Sequence, residues 1–318
     1  MTVSIFPLVS PWGRFGLYSF YLDAPEPAII DTGIASSPEA MASALDDLGR
    51  RIEDVRWILL THGHIDHLGG AHALWELTGR RARVVLHEAD AHLLRSRAAH
   101  VQQYVDVRQG YLQDPAGVEK QTAAAAAVIS GEMEPTLLVR GGERLSLGGE
   151  VSVSVHHIPG HTAGSVAYVV DGQNDVFVGD AVQVHGAANG FPGYEDPRAY
   201  RASLRHLRDE VRPERLYLGH PYRRTDGVAY GVELDAGQAR EALTESLEIE
   251  ARVANAAQRY LRDGVRDSTS AYSPYAPVAD ELGYTGDPTL EPSPFFTTLH
   301  GYATQFDVEN EKELRTHG

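Results

Sequence analysis

The chain has 318 residues, 42% hydrophobic and 23% charged, with a formal net charge of −16 and no cysteine. This length and composition suffice for a large buried core. The missing cysteines exclude disulfides, thiolate metal sites and cysteine nucleophiles, and the acidic balance argues against nucleic acid or anionic membranes as partners.

The opening MTVSIFPLVSPWGR has neither the basic start nor the apolar stretch of a secretory signal. No apolar run is long enough to span a bilayer, so the cytoplasm is the expected compartment. Residues 3–9, 16–22 and 27–33 read as strands. SPEAMASALDDLG reads as a helix capped at Ser37, with Pro38 in its first turn and a stop at Gly49. VRWILL at 55–60 is a short apolar run of the kind found in a buried strand. It leads into THGHIDHLGG, then a helix in GGAHALWELTG and a strand in ARVVLHEAD. Residues 88–130 read as a helical insertion, longer than a connector and suited to a lid or to a solvated outer layer.

After Gly141 and Gly142 the pattern returns to strands. ERLSLGGEVSVSVHHIPG alternates, with Gly148-Gly149 as a hairpin turn, and VAYVV and DVFVGD flank the turn DGQND. DPRAYRASLRHLRDEV reads as an amphipathic helix and ERLYLGH as a last strand. From about residue 233 a long helix is followed by a tail rich in proline and aromatics, including Tyr275, Tyr284, Phe295, Phe296 and Tyr302. Such a tail needs a surface to pack on, either the rest of the chain or a second copy in a homodimer. Residues 1–232 are thus expected to form one domain carrying the 88–130 insertion, and 233–318 a C-terminal helix and tail packed on that domain or on a dimer partner. The alternation of strands and helices fits a layered α/β architecture.

THGHIDHLGG crowds His62, His64, Asp66 and His67 into six positions. Without cysteine, imidazole nitrogens and carboxylate oxygens are the ligands left for zinc. His62 and His64 alternate, so in an extended segment they point the same way and can share one metal. Asp66 and His67 lie just beyond and would aim at a second metal if the chain turns into a helix there. Gly69 and Gly70 are expected to let the backbone turn tightly. His161 in PGHTAGS, Asp180 in VGDA and His220 in LGHP each sit at a strand end beside a glycine, where a rigid sheet can hold a loop side chain.

DTG at 31–33, HGHIDH, PGHTAGS, VGD and LGH, in this order, resemble the motifs of the metallo-β-lactamase-fold superfamily across roughly residues 3–222. The resemblance implies a four-layer αββα sandwich with metals at one edge, here with a C-terminal helical and aromatic-rich extension. It implies that His62, His64 and His161 hold one metal, that Asp66, His67 and His220 hold a second, and that Asp180 bridges them. Asp31 would orient a ligand histidine through a hydrogen bond, as metal-binding histidines usually require. The implied cofactor is a pair of zinc ions, with iron or manganese suiting the same ligands. The implied activity is hydrolysis of a small ester, thioester or lactone by a dizinc-bound hydroxide, with Asp66 relaying a proton.

The departures from known branches are informative. True β-lactamases of this fold use cysteine or asparagine and lack the bridging aspartate. Thioesterases of the glyoxalase II type carry a glutathione-binding lysine soon after that aspartate, yet VQVHGAANGFPGYEDP has no basic residue before Arg198. Acyl-homoserine lactonases place a tyrosine three residues after it, where this chain has Gln183. Tyr194 is a candidate replacement, and Tyr222 and Arg223, just after His220, are further candidates for touching substrate. The aromatic tail suits a small molecule with an apolar or acyl portion. Two rival readings are a mononuclear-iron oxidoreductase like the persulfide dioxygenases and a non-catalytic, metal-containing ligand-binding module.

Overall fold

The computed structural model describes residues 2–13, 15–112, 115–187, 190–263, 270–288 and 294–317. The first sheet runs β1 (Ser4–Trp12), β2 (Phe15–Asp23), β3 (Ala28–Ile30), β4 (Trp57–Leu59), β5 (Arg83–His87) and β6 (Leu137–Val139), in that spatial order. β1, β2 and β3 pair antiparallel, whereas β3 through β6 are parallel. Parallel neighbours need crossovers. These are α1 (Ser37–Asp47), then α2 (Ile65–Leu68) and α3 (Ala71–Leu77), then α4 (Ala91–Arg95), α5 (Arg97–Leu112) and α6 (Pro115–Ala127).

The second sheet runs β7 (Arg144–Ser146), β8 (Ser152–His157), β9 (Val166–Val170), β10 (Asp175–Phe177), β11 (Arg215–Tyr217) and β12 (Glu233–Asp235). Its one parallel pair, β10 with β11, is bridged by α7 (Pro197–His206). The chain ends in α8 (Ala236–Asp263), α9 (Ala276–Leu282) and α10 (Pro294–His317).

Alternation along the strands builds the layers. Phe20, Leu22, Ile30, Trp57 and Leu59 face inward and meet Val153, Val155, Tyr168, Phe177 and Tyr217 of the second sheet. Their neighbours Tyr21, Ile29 and Ile58 face outward onto Met41, Leu45 and Leu74 of the first helical layer. The outer face of the second sheet, with Val169, Val176 and Leu216, meets Tyr200, Leu204, Leu243 and Phe296 of the second helical layer. The result is the expected αββα sandwich. Each fully buried Leu, Val or Phe contributes about 1.5–3 kcal/mol by leaving water.

Several elements differ from the sequence reading. The first strand runs on to Trp12 because it pairs with β2 over its whole length. The third strand stops at Ile30, since Asp31 turns to φ 56°. The first helix starts at Ser37, whose hydroxyl accepts from the Ile34 amide at 3.1 Å. β6 and β12 were not anticipated; each has three residues, too few for a period to declare itself. The tail is mostly helical, and its aromatics share one core with α8 and the second sheet. α5 from the insertion joins it: Tyr111 stacks on Phe296 at 5.1 Å, and its hydroxyl lies 2.8 Å from His300 Nδ1.

Candidate metal centre

The first ligand loop leaves β4 and is fixed by Asp31, just past β3. Asp31 accepts from the Thr61 amide and the Thr61 hydroxyl, both at 2.8 Å, and from His67 Nδ1–H at 2.9 Å. His64 stays extended (φ −74°, ψ 149°) as the residue before α2, so His62 and His64 share a side while Asp66 and His67 ride on the helical turn. His62, His64 and His161 form a triangle of rings with centroids 4.3–4.7 Å apart.

Two donor groups result. His62, His64, His161 and Asp180 present ligand atoms within 4.8 Å of one another, and so do Asp66, His67 and His220. Asp180 lies between them. Its Oδ1 is 3.1 Å from His67 Nε2, and its Oδ2 is 3.4 Å from His220 Nε2 and 3.6 Å from His161 Nε2. His67 Nε2 and His220 Nε2 are 3.2 Å apart, and Asp66 Oδ2 is 3.1 Å from the latter. The outer nitrogens are spoken for. His161 Nδ1–H donates to the Gly193 carbonyl at 2.7 Å and His220 Nδ1–H to the Gly16 carbonyl at 2.8 Å.

Among the described residues, His62 Nε2 and His161 Nε2 are buried without a hydrogen-bond partner. Burying a polar nitrogen unsatisfied is costly. A bound cation removes that cost, and a nitrogen-and-oxygen donor set suits zinc, iron or manganese. The residues present therefore fit one divalent ion in each group.

The electrostatics agree. Burial holds His62 and His64 well below the ordinary imidazole range, with neighbouring imidazoles adding to it, so both are neutral, as ligands must be. Burial also lowers His161, against the pull of Asp180. In the second group burial would lower His220, but Asp180 and Asp66 outweigh it and push it up to about 10. His67 is likewise raised, by Asp180, Asp31 and Asp66 against burial. Burial works to raise both Asp66 and Asp180, yet the two histidines hold each carboxyl well below its usual range. The pocket thus demands positive charge between its carboxylates.

The other expected site residues are placed differently from one another. Tyr222 is buried with its ring edge-on to His220, 5.7 Å between centroids. Burial, then the Asp180 and Asp66 carboxylates, raise its hydroxyl well above the ordinary phenol range, so it sits at the second donor group. Tyr194 is also fully enclosed, but its ring stacks on Tyr200 and its hydroxyl meets Tyr302 at 3.1 Å, away from the donors. Arg223 is exposed and gives one bond to the Gly227 carbonyl at 3.2 Å.

Three residues were not singled out as supports. Asp90 accepts from the Gly63 amide at 2.7 Å, the Gly164 amide at 2.8 Å and the Thr162 hydroxyl at 2.7 Å, tying the His62 loop to the His161 loop. Gln183 lies 2.9 Å from His161 Nδ1 and braces the Gly193 amide. Gly219 has no room for a side chain: a Cβ would sit 2.4 Å from Asp180 Oδ1. Asp90 had a signal, an acid at the end of a strand like the ligands themselves. The roles of Gly69 and Gly70 also change. Both have negative φ, and a Cβ on either would strike backbone, the Val128 carbonyl for Gly69 and the Thr32 carbonyl for Gly70. Close approach, not turning, requires them.

An αββα sandwich with buried histidines and aspartates on the loops at one edge of both sheets defines a metal-binding α/β protein. The family model described as Metallo-beta-lactamase superfamily matches residues 18–220, and the chain belongs to that superfamily. A hydroxyacylglutathione hydrolase of Pseudomonas aeruginosa is 30% identical over 227 residues, 71% of this chain and 69% of that protein. A metallo-beta-lactamase family protein from Thermus thermophilus has a similar fold, with a TM-score of 0.68 at 22% identity over 95% of this chain and 93% of that one. Among the described residues, no helix is long and apolar enough to cross a membrane.

Proposed function

We propose that this chain is a metal-dependent hydrolase that cleaves a small ester, thioester or lactone, a thioester being favoured by its hydroxyacylglutathione hydrolase relatives. The observation that carries the reading is the convergence of two donor groups on Asp180. His62, His64, His161 and Asp180 would hold one zinc, and Asp66, His67, His220 and Asp180 the other. Two such ions supply Lewis acidity to the acyl oxygen and lower the pKa of a water from about 16 towards 7.

The chain's own residues do the rest. Asp31 fixes His67, and the Gly193 and Gly16 carbonyls fix His161 and His220, so the donors are held before substrate arrives. Asp66 is the most exposed of the carboxylates in the cluster, its side chain 13% exposed against 9% for Asp180. It is placed to accept the proton that an attacking water gives up. Tyr222 keeps its proton at neutral pH and can donate a hydrogen bond to the developing oxyanion. No side-chain nucleophile is required.

Removing metal with a chelator, dialysing it away and restoring zinc tests this. Thioester hydrolysis is expected to vanish and to return on zinc addition. Undiminished turnover by chain proven metal-free would overturn the reading.

A further inference from the structure

The two loops that deliver Asp180 and His220 do not end at the metal centre. They run on, joined by the His185 amide donating to the Arg223 carbonyl at 3.3 Å, into a separate cleft of about 400 Å³. Its described lining comes from His185, Gly190–Pro192, Arg223, α8 and the turn after α9. Arg223, Arg252 and His185 line it, with Phe191 and Tyr284 supplying apolar surface, and no acid is among its described lining residues. That is unusual for a chain of net charge −16. Among the described residues neither arginine is in an ion pair. Burial disfavours protonation of His185 and Arg252 adds to this, against Glu245, which lies 3.7 Å from His185 and is not among the described lining residues.

We infer that this cleft binds the anionic end of the substrate, a carboxylate or phosphate on an apolar arm, while the acyl group reaches the metal centre. The inference rests on the hydrolase reading above. The guanidinium fork matches both anions, and a basic cleft with no acid among its described lining residues, on a chain of net charge −16, focuses them. Arg223 is three residues past His220, so their Cα atoms are at most about 11 Å apart. An extended acetyl thioester of mercaptohexanoate, eight bonds from acyl carbon to carboxylate oxygen, comes within about 1 Å of that upper bound. The signal in the sequence is RR at 223–224, of which only Arg223 lines the cleft; Arg224 lies over Tyr230, 5.6 Å from the ring centre, facing Asp226 and Glu241.

The test compares zinc-loaded protein with its Arg223→Gln/Arg252→Gln variant on two acetyl thioesters, those of mercaptohexanoate and of neutral mercaptohexanol. Wild type is expected to favour the anionic thioester in kcat/KM by about tenfold, carried by KM, and the variant to lose that preference. An equal loss on both thioesters, or an unchanged preference, would overturn the inference. Calorimetric titration with hexanoate and with inorganic phosphate keeps the two readings separable. If neither thioester is cleaved, the hydrolase reading fails, and arginine-dependent binding of either anion still decides the cleft. Binding of phosphate alone assigns a phosphate handle, of hexanoate alone a carboxylate, and of neither overturns the cleft.

Discussion

At the scale of single residues, the centre depends on side chains that touch no substrate. Asp31 holds Thr61 and His67 at once, from a backbone turned to φ 56°. Asp31→Ala would free the His67 ring and leave Thr61 unanchored. Zinc affinity is expected to fall about 10–100-fold, as for other outer partners of ligand histidines, measured by competition with a chromophoric chelator. Unchanged affinity would show that His67 needs no such support. The ligand candidates themselves were legible, because metal chemistry restricts residue type and HGHIDH packs four donors into one loop. The bracing role of Gln183 was not, and the strand-end position of Asp90 marked it without showing its role, because these roles come from meeting Gly193, Gly63 and Gly164 across the fold. Tyr194 and Tyr222 looked alike in sequence, and only the fold sends one hydroxyl to Tyr302 and the other to the Asp180 side.

At the scale of elements, α5 of the insertion is pinned at two points. Tyr111 of α5 is held by Phe296 and His300 of α10, and Gln103 of the same helix donates to Glu195 Oε1 at 3.0 Å. Burial raises the Glu195 carboxyl to about 7, against the Gln103 bond. A carboxyl whose folded pKa lies above its unfolded value stabilises the fold fully below the unfolded value, near 4.5, and loses that contribution as pH rises through about 7. The attachment of α5 is therefore expected to loosen between pH 5 and 8, seen as faster amide exchange in α5 after correction for intrinsic rates. Glu195→Gln is expected to flatten that dependence. If wild type and variant show the same pH profile, Glu195 is not the responsible group. Strands and helices with a clear period were legible in the sequence. Three-residue β6 and β12 were not, nor was the helical state of the tail, which tertiary burial of its aromatics decides.

At the scale of the molecule, metal and fold are linked. Without metal, His220 titrates near 10 instead of 6.5, and His67 is raised too. The His220 contribution is complete below about 6.5 and is lost as pH rises through about 10, and His67 acts in the same direction. Asp66 and Asp180 contribute above their ordinary value of 3.8 and lose that contribution as pH falls below it. The metal-free fold is thus expected to weaken steadily from neutral to alkaline pH. Zinc bound at this centre would replace those protons and would bind better as they leave. At free zinc of about 1,000 times Kd it would add about 4 kcal/mol. The gap in Tm between zinc-loaded and metal-free chain is expected to widen from pH 6.5 to 9, and a gap that narrows would count against this linkage.

The central claim is that two donor groups sharing Asp180 hold two divalent ions, and elemental analysis of purified, untagged protein tests it most directly. About two zinc per chain is expected. About one iron per chain, or no transition metal at all, would contradict the dinuclear hydrolase; iron would turn the same ligands towards oxygen chemistry.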